Sequence, residues 1–226
     1  MAFSALVVTV VHHPGDARIR HRQISALLEA GWQVTYAAPF SGYGATPPTA
    51  EARLTAVDLP RALGWRRVAA FRAARRLLRA RASGHDVVLL HDPELLLTLP
   101  RLDLPPVVWD VHEDTPATMS TKPWLPRPFR APMAALARTV ERRAAKRVEI
   151  ILAERSYAER FGPDRVVVPN TVRVPERVEP PGDRRIVYLG HVTLARGAGD
   201  LVHVGQLVAA ATEGTTRLLV IGNADK

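Results

Sequence analysis

Three times in its first half the chain runs from a β-branched apolar stretch directly into histidine and acids: LVVTVVHHPGD (6–16), DVVLLHDPE (86–94) and VVWDVHEDTP (107–116). Short apolar runs of this kind, alternating with helical segments, are the strands of a parallel sheet buried on both faces. In such a sheet, ligands bind outside the carboxyl ends of the strands, where the strand order reverses. The pattern therefore predicts parallel strands delivering His12, His13, Asp16, His91, Asp92, His112, Glu113 and Asp114 to one rim, with His12, His91 and His112 on the same edge. Of the eight histidines, four fall at these strand ends and a fifth, His191, follows the later run RIVYLG.

The segments between these runs read as the helices of a doubly wound α/β fold. Residues 18–30 carry Ile19, Ile24, Leu27 and Leu28 at helical spacing, with Gly31 placed for a left-handed cap. Strands follow at 33–38 and 54–59, separated by the Gly- and Pro-rich loop 39–48. Residues 63–81 read as a helix with Trp65, Val68, Phe71, Leu77 and Leu78 on its apolar face. A helical turn and a loop precede the strand ending in HED. The stretch KPWLPRPFRAP (122–132), with four prolines, reads as a loop over the rim. A helix over 133–147, a strand over 148–153, a short helix over 156–161 and a short strand over 165–168 complete a first domain, 1–168.

Residues 169–183, PNTVRVPERVEPPGD, contain four prolines and no apolar periodicity, which marks an interdomain linker. Beyond it lie a strand (185–190), a helix (201–211) and a strand (217–222). This single unit over 184–226 is too small to be an independent domain, since chains below roughly 40 to 60 residues are marginal. It is expected to be the start of an incomplete second Rossmann-like domain.

Charge and composition narrow the function. The net charge of +9 comes from 28 arginines and only 3 lysines, and helix 63–81 holds seven arginines without one acid. A basic amphipathic helix is either a solvated outer face or a surface for an anionic membrane. Trp124 and Phe129 in the proline-rich loop add interfacial aromatics to the second reading. No module for nucleic acid is present. No apolar run approaches the ~20 residues of a membrane span, and no secretory leader is evident, so the expected location is cytoplasmic, with peripheral contact at the inner face of the membrane. Zero cysteines exclude disulfides and thiolate zinc sites. There is no Gly-x-Ser-x-Gly elbow for a serine nucleophile and no Gly-x-Gly-x-x-Gly for a dinucleotide. A metal held by His91, Asp92, His112 and Glu113 suits imidazole and carboxylate chemistry, but the spacing matches no compact ligand motif, and no metal is expected.

Taken together, HHPGDARIRHRQISALLEAGWQVTYAAP, HDPELL, DVHED, VVVPNTV and IVYLGHVTLARG occur in an order that resembles the glycosyltransferases of family 4, which have the GT-B fold. The resemblance implies two Rossmann-like domains, the first for the acceptor and the second for a nucleotide-sugar donor, with retention at the anomeric carbon and no cofactor or required metal. It implies that His112 reaches the donor sugar and the reacting centre. Arg196 and Gly197 would meet the donor diphosphate, with Gly190 permitting close approach, and Arg196 would share the catalytic burden. His13, Asp16, Arg18, His91, Asp92 and Glu113 are the expected substrate contacts around the crevice. The implied acceptor is a glycan or a lipid-linked sugar of the kind used for cell envelope polysaccharide, and the implied type is a hexosyltransferase. The chain has a single glycine, Gly15, in the loop after the first strand, and stops before the family's acidic motif, so these 226 residues alone are expected to be inactive. A non-catalytic acceptor-binding remnant and a sugar-nucleotide epimerase on the same fold are the alternatives.

Overall fold

The apolar runs that end in histidine form central strands of a parallel sheet in the computed structural model, which describes residues 2–49, 51–99, 104–112, 126–171, 174, 176–177, 182 and 184–224. The strands are β1 (Ser4–Val8), β2 (Gln33–Ala38), β3 (Leu54–Asp58), β4 (Val87–Leu90), β5 (Val107–Val111), β6 (Glu149–Leu152) and β7 (Val166–Val167). Their order is β3-β2-β1-β4-β5-β6-β7, and every neighbouring pair is parallel. The chain winds outward from β1 to β3, then returns to the other side of β1 for β4. That reversal between β1 and β4 opens the crevice of a doubly wound sheet.

Alternation along β1 splits the core into two layers. Leu6 and Val8 pack on one face with Val88, Leu90 and Trp109, while Val7 packs on the other with Ile19, Ile24, Val34 and Tyr36. The segment after β1 begins with a π-helical turn, Ile19–Ile24, and continues as α1 (Ser25–Glu29). Its wider winding is written in the hydrogen bond from the Gln23 N–H to the Arg18 carbonyl, five residues back, at 3.0 Å. Ile19 and Ile24, also five apart, are both fully buried. Gly31 takes the expected left-handed conformation (φ +88°) after α1.

Two expectations for the helices need correction. In α2 (Arg66–Arg81) the buried face is Ala70, Ala74, Leu77 and Leu78, whereas Trp65 is 97% exposed and Val68 is exposed too. Ala70 and Ala74, four apart, let that part of the helix lie close against the sheet; of the expected face Leu77 and Leu78 are buried and Phe71 packs against the core, while Trp65 and Val68 fall outside it. The proline-rich loop expected over 122–132 is helical from residue 127, because α3 runs Arg127–Ala144. Pro126 is its N-cap and Pro128 lies in the first turn, where no N–H partner is needed. Pro132 lies inside the helix and removes one interior hydrogen bond without ending it. Residues 122–125 of that loop lie outside the described residues. A short helix, α4 (Ala158–Phe161), precedes β7.

The chain divides into two compact units, Met1–Thr171 and Val172–Lys226, and the boundary falls within the proline-rich stretch. In the second unit β8 (Arg185–Leu189) and β9 (Arg217–Ile221) pair in parallel, connected through α5 (Ala198–Ala211), which starts three residues earlier than its apolar spacing predicts. Gly222 follows β9 so close to β8 that a Cβ there would sit 1.7 Å from the Gly190 carbonyl oxygen. None of the described residues 184–224 is buried, and Ile186, Val187, Leu189, Leu207, Val220 and Ile221 are exposed.

The alanine face of α2 gives a direct test. Ala74→Leu is expected to destabilise the first unit by about 1–3 kcal/mol through overpacking. Trp65→Gln and Val68→Gln should each stay within about 0.5 kcal/mol of the parent. Denaturant unfolding of the three variants measures both, and the opposite ranking would restore the face centred on Trp65.

Candidate active site

Strand ends bring the side chains together. His12 follows β1, His91 and Asp92 follow β4 directly, and His112 follows β5 directly. The Nε2 atoms of His112 and His12 are 3.0 Å apart, and the centroids of the His91 and His112 rings are 5.8 Å apart. Three imidazoles from three strands thus meet on the carboxyl edge of the sheet, as their positions in the sequence predict.

Two buried aspartates hold them. Asp92, fully buried, bridges β4 to the end of β1: its Oδ2 accepts the N–H groups of Val10 (2.5 Å) and Val11 (3.3 Å), and the Thr9 hydroxyl donates to the carboxylate at 3.1 Å. His12 Nε2 lies 3.3 Å from Asp92 Oδ1. Burial pushes the Asp92 carboxyl up to about 6, against the opposing pull of His12 and the Val10 N–H.

Asp110 is the second, and it was not among the residues expected at the site. It lies within β5, fully buried, and receives the Arg18 fork in bidentate fashion, Nε to Oδ2 at 2.7 Å and Nη2 to Oδ1 at 2.6 Å. Gln23 Nε2 adds a hydrogen bond to Oδ2 at 2.8 Å. The π-helical turn explains why both donors reach one carboxylate, since the hydrogen bond between positions 18 and 23 stacks one over the other. Burial alone would raise the Asp110 carboxyl, but the Arg18 guanidinium, with His112 and His91, holds it far below the usual carboxylate range. The signal for this residue was an acid inside an apolar strand, two positions before a histidine, which puts both on one face.

The ionised Asp110 faces both rings. Its Oδ2 lies 3.3 Å from His91 Nδ1 and 3.6 Å from His112 Nδ1. The second distance is longer than a hydrogen bond, so the hold on His112 is electrostatic. A carboxylate beside Nδ1 favours the tautomer protonated there and leaves Nε2 of His112 as the acceptor facing His12. Among the described residues the His91 nitrogens make no hydrogen bond of good geometry.

His91, Asp110 and His112 also offer one ligand atom each within 4.8 Å of one another, the donor set of a cation site. Arg18 argues against that use, because both Asp110 oxygens already accept from its guanidinium and a second cation would meet that fixed charge at contact distance.

Other expected residues have different surroundings. Arg18, expected at the border of the crevice, is buried and fully engaged, with Nη1 donating to the Val168 carbonyl at 2.9 Å. Asp16 Oδ1 accepts the N–H groups of Arg18 (2.9 Å) and Ile19 (3.0 Å), opening the helical segment as a cap. His13 is exposed and turned toward Tyr43 (ring centroids 4.9 Å), with Nδ1 accepting the Gly15 N–H at 2.9 Å. Tyr36 and Tyr43 pin this loop by donating to the carbonyls of Pro14 and Val11. Glu113 and Asp114 lie outside the described residues. In the second unit, exposed Arg196 ends a 3-10 turn, Leu194–Arg196, and Gly197 (φ +79°) is the left-handed N-cap of α5. Gly190 donates its N–H to the Ile221 carbonyl and has the Gly222 backbone close against its own carbonyl.

Burial holds the His91 imidazole well below its ordinary value, against the pull of Asp110. As pH falls below ~6.5, the unfolded chain takes up a proton at this position that the folded chain does not, so stability falls, by at most about 1.4 kcal/mol per pH unit. Denaturant unfolding at pH 7.5 and pH 5 should show a smaller acid loss for His91→Gln than for the parent. An equal loss would mean that His91 takes up its proton in the fold.

Comparison with known proteins agrees with this architecture. A family model described as "Glycosyl transferase 4-like domain" matches residues 15–171. No curated protein matches the chain in sequence. Among solved structures, a sucrose-phosphate synthase from Thermosynechococcus elongatus is similar over 100% of this chain and 71% of its own, with TM-score 0.62 and 13% identity. The glycosyltransferase SnogD from Streptomyces nogalater is similar over 100% and 68%, with TM-score 0.54 and 19% identity. A ugt transferase from Siraitia grosvenorii, solved in complex with UDP, is similar over 99% and 74%, with TM-score 0.53 and 12% identity. At these identities the structural likeness speaks to fold alone. The family match, which takes in the π-helical turn, both aspartates and every strand from β2 to β7, identifies the chain as a member of the glycosyl transferase 4-like family, with the GT-B fold.

Proposed function

We propose that the protein transfers a hexosyl group from a nucleotide-sugar donor to a glycan or lipid-linked acceptor, with retention at the anomeric carbon and without a metal. The observation that carries this reading is His112, presented at the crevice of a family member and set by a buried, ionised Asp110. In this reading the first unit takes the acceptor. With Nδ1 turned to Asp110, His112 offers Nε2 to a sugar hydroxyl in place of His12, and becomes a donor when it gains a proton.

The second unit takes the donor diphosphate. A helix N-terminus opened by a left-handed glycine and preceded by an exposed arginine is suited to phosphate, because the helix dipole favours an anion there and a guanidinium stands next to it in the chain. Fixed positive charge of this kind stabilises a departing diphosphate when no metal does. The protein is proposed to work in the cytoplasm at the inner membrane face. In support, no helix among the described residues is long and apolar enough to cross a membrane, and α2 carries exposed arginines.

In a sugar-transfer assay on the protein expressed from its full reading frame, His112→Ala is expected to lower kcat by about 10²–10³-fold, as for removal of a group acting at the reacting centre. Arg196→Ala is expected to lower kcat/KM for the nucleotide-sugar by a similar factor. Near-parent rates in both variants would remove the assignment.

A further inference from the structure

A groove of about 1330 Å³ lies on the amino edge of the first unit's sheet, opposite the histidine crevice. Its position follows from the topology: it is lined by Val107, the first residue of β5, and by Val148, immediately before β6, whereas His112 follows the far end of β5. The floor is apolar, with Leu96, Leu99, Leu104 and Val140 beside those two valines. The rim is cationic: Arg75 and Arg79 come from α2, Arg143 from α3, and Lys146 and Arg147 from the turn after it. Among the described residues no acid lines the groove, and none of these five cations makes an ion pair. Leu97, also in the lining, is 64% exposed between them.

An apolar floor ringed by unpaired cations suits a ligand with an anionic head and a hydrocarbon tail. An anion alone would leave the leucines wet, and a neutral apolar ligand would leave the arginines unused. We infer that this groove is a docking site for an anionic phospholipid, engaging the headgroup with Arg75, Arg79, Arg143 and Arg147 and part of an acyl chain with the leucines. The site deepens the membrane contact proposed above and rests on it. It serves attachment rather than chemistry, since it opens on the edge of the sheet away from His112.

The test is co-sedimentation of the full chain with phosphatidylcholine vesicles, with and without phosphatidylglycerol, at low and physiological salt, together with calorimetric binding of monododecyl phosphate below its micellar concentration. A basic side chain at an anionic leaflet is worth about a fivefold change in partitioning. Arg75→Gln with Arg79→Gln is therefore expected to lower binding to anionic vesicles by an order of magnitude, and to lower monododecyl phosphate affinity by a similar factor. The charge-matched pair Arg72→Gln and Arg76→Gln, on the same helix but outside the groove, should lower vesicle binding less and leave monododecyl phosphate unchanged. Leu97→Ser should weaken both without any change in charge. Equal losses from the two arginine pairs, with no saturable monododecyl phosphate binding, would overturn the groove and leave a general membrane contact standing. No binding to anionic vesicles at low salt would overturn both. Inorganic phosphate displacing monododecyl phosphate at equal concentration would reduce the site to a simple anion site and overturn the lipid assignment.

Discussion

The buried pair between Arg18 and Asp110 is the interaction on which the site depends. Removing two charges from water costs more than their attraction returns unless the geometry is good and the remaining donors and acceptors are satisfied. Here the fork is bidentate, Gln23 supplies a further donor to Asp110, and the third arm of Arg18 ends on the Val168 carbonyl. One side chain thus ties the segment after β1 to the middle of β5 and to the residue after β7, across 92 and 150 positions of sequence. The π-helical turn belongs to the same device, because an ordinary helical turn would not stack position 18 over position 23.

The two buried aspartates then divide the electrostatics of the crevice. Asp110, facing a guanidinium, stays ionised and orients His91 and His112. Asp92 is held mainly by neutral N–H groups and the Thr9 hydroxyl, and burial raises it to about 6, close to where an imidazole titrates. His12 lies between them, within 3.3 Å of Asp92 and 3.0 Å of His112. Environments that push like groups apart are how one crevice comes to hold both a fixed charge and a proton acceptor.

Local grammar made most of this legible. A β-branched run ending in histidine specifies a strand and its carboxyl end together, so the sheet and the convergence of His12, His91 and His112 could be read directly. What escaped reading depends on partners far away in sequence. Arg18 is one of 28 arginines, and nothing beside it says that its partner lies 92 residues on. Asp110 was hidden by the strand around it, although its spacing from His112 placed both on one face. In α2 the bulky residues suggested a face, but alanine is what permits close contact with the sheet, and Trp65 is left in solvent. The prolines at 126 and 128 read as breakers, yet at a helix start a missing N–H costs nothing.

Parallel winding also explains why histidines and arginines occupy different ends of the same unit. Every β-α crossover returns the chain to the amino edge, so residues at helix ends and before strands collect there, while residues after strands collect at the carboxyl edge. Arg143, Lys146 and Arg147 stand where α3 runs down toward β6; His91, Asp92 and His112 stand where β4 and β5 end. A strand of five residues spans only about 16 Å. That distance keeps the exposed cations of one edge out of contact with the imidazoles of the other, so their mutual interaction is weak beside that of charges in direct contact. The charges in direct contact with the crevice histidines are those of Asp92 and Asp110, the latter held by Arg18, and the arginines of the amino edge touch none of them.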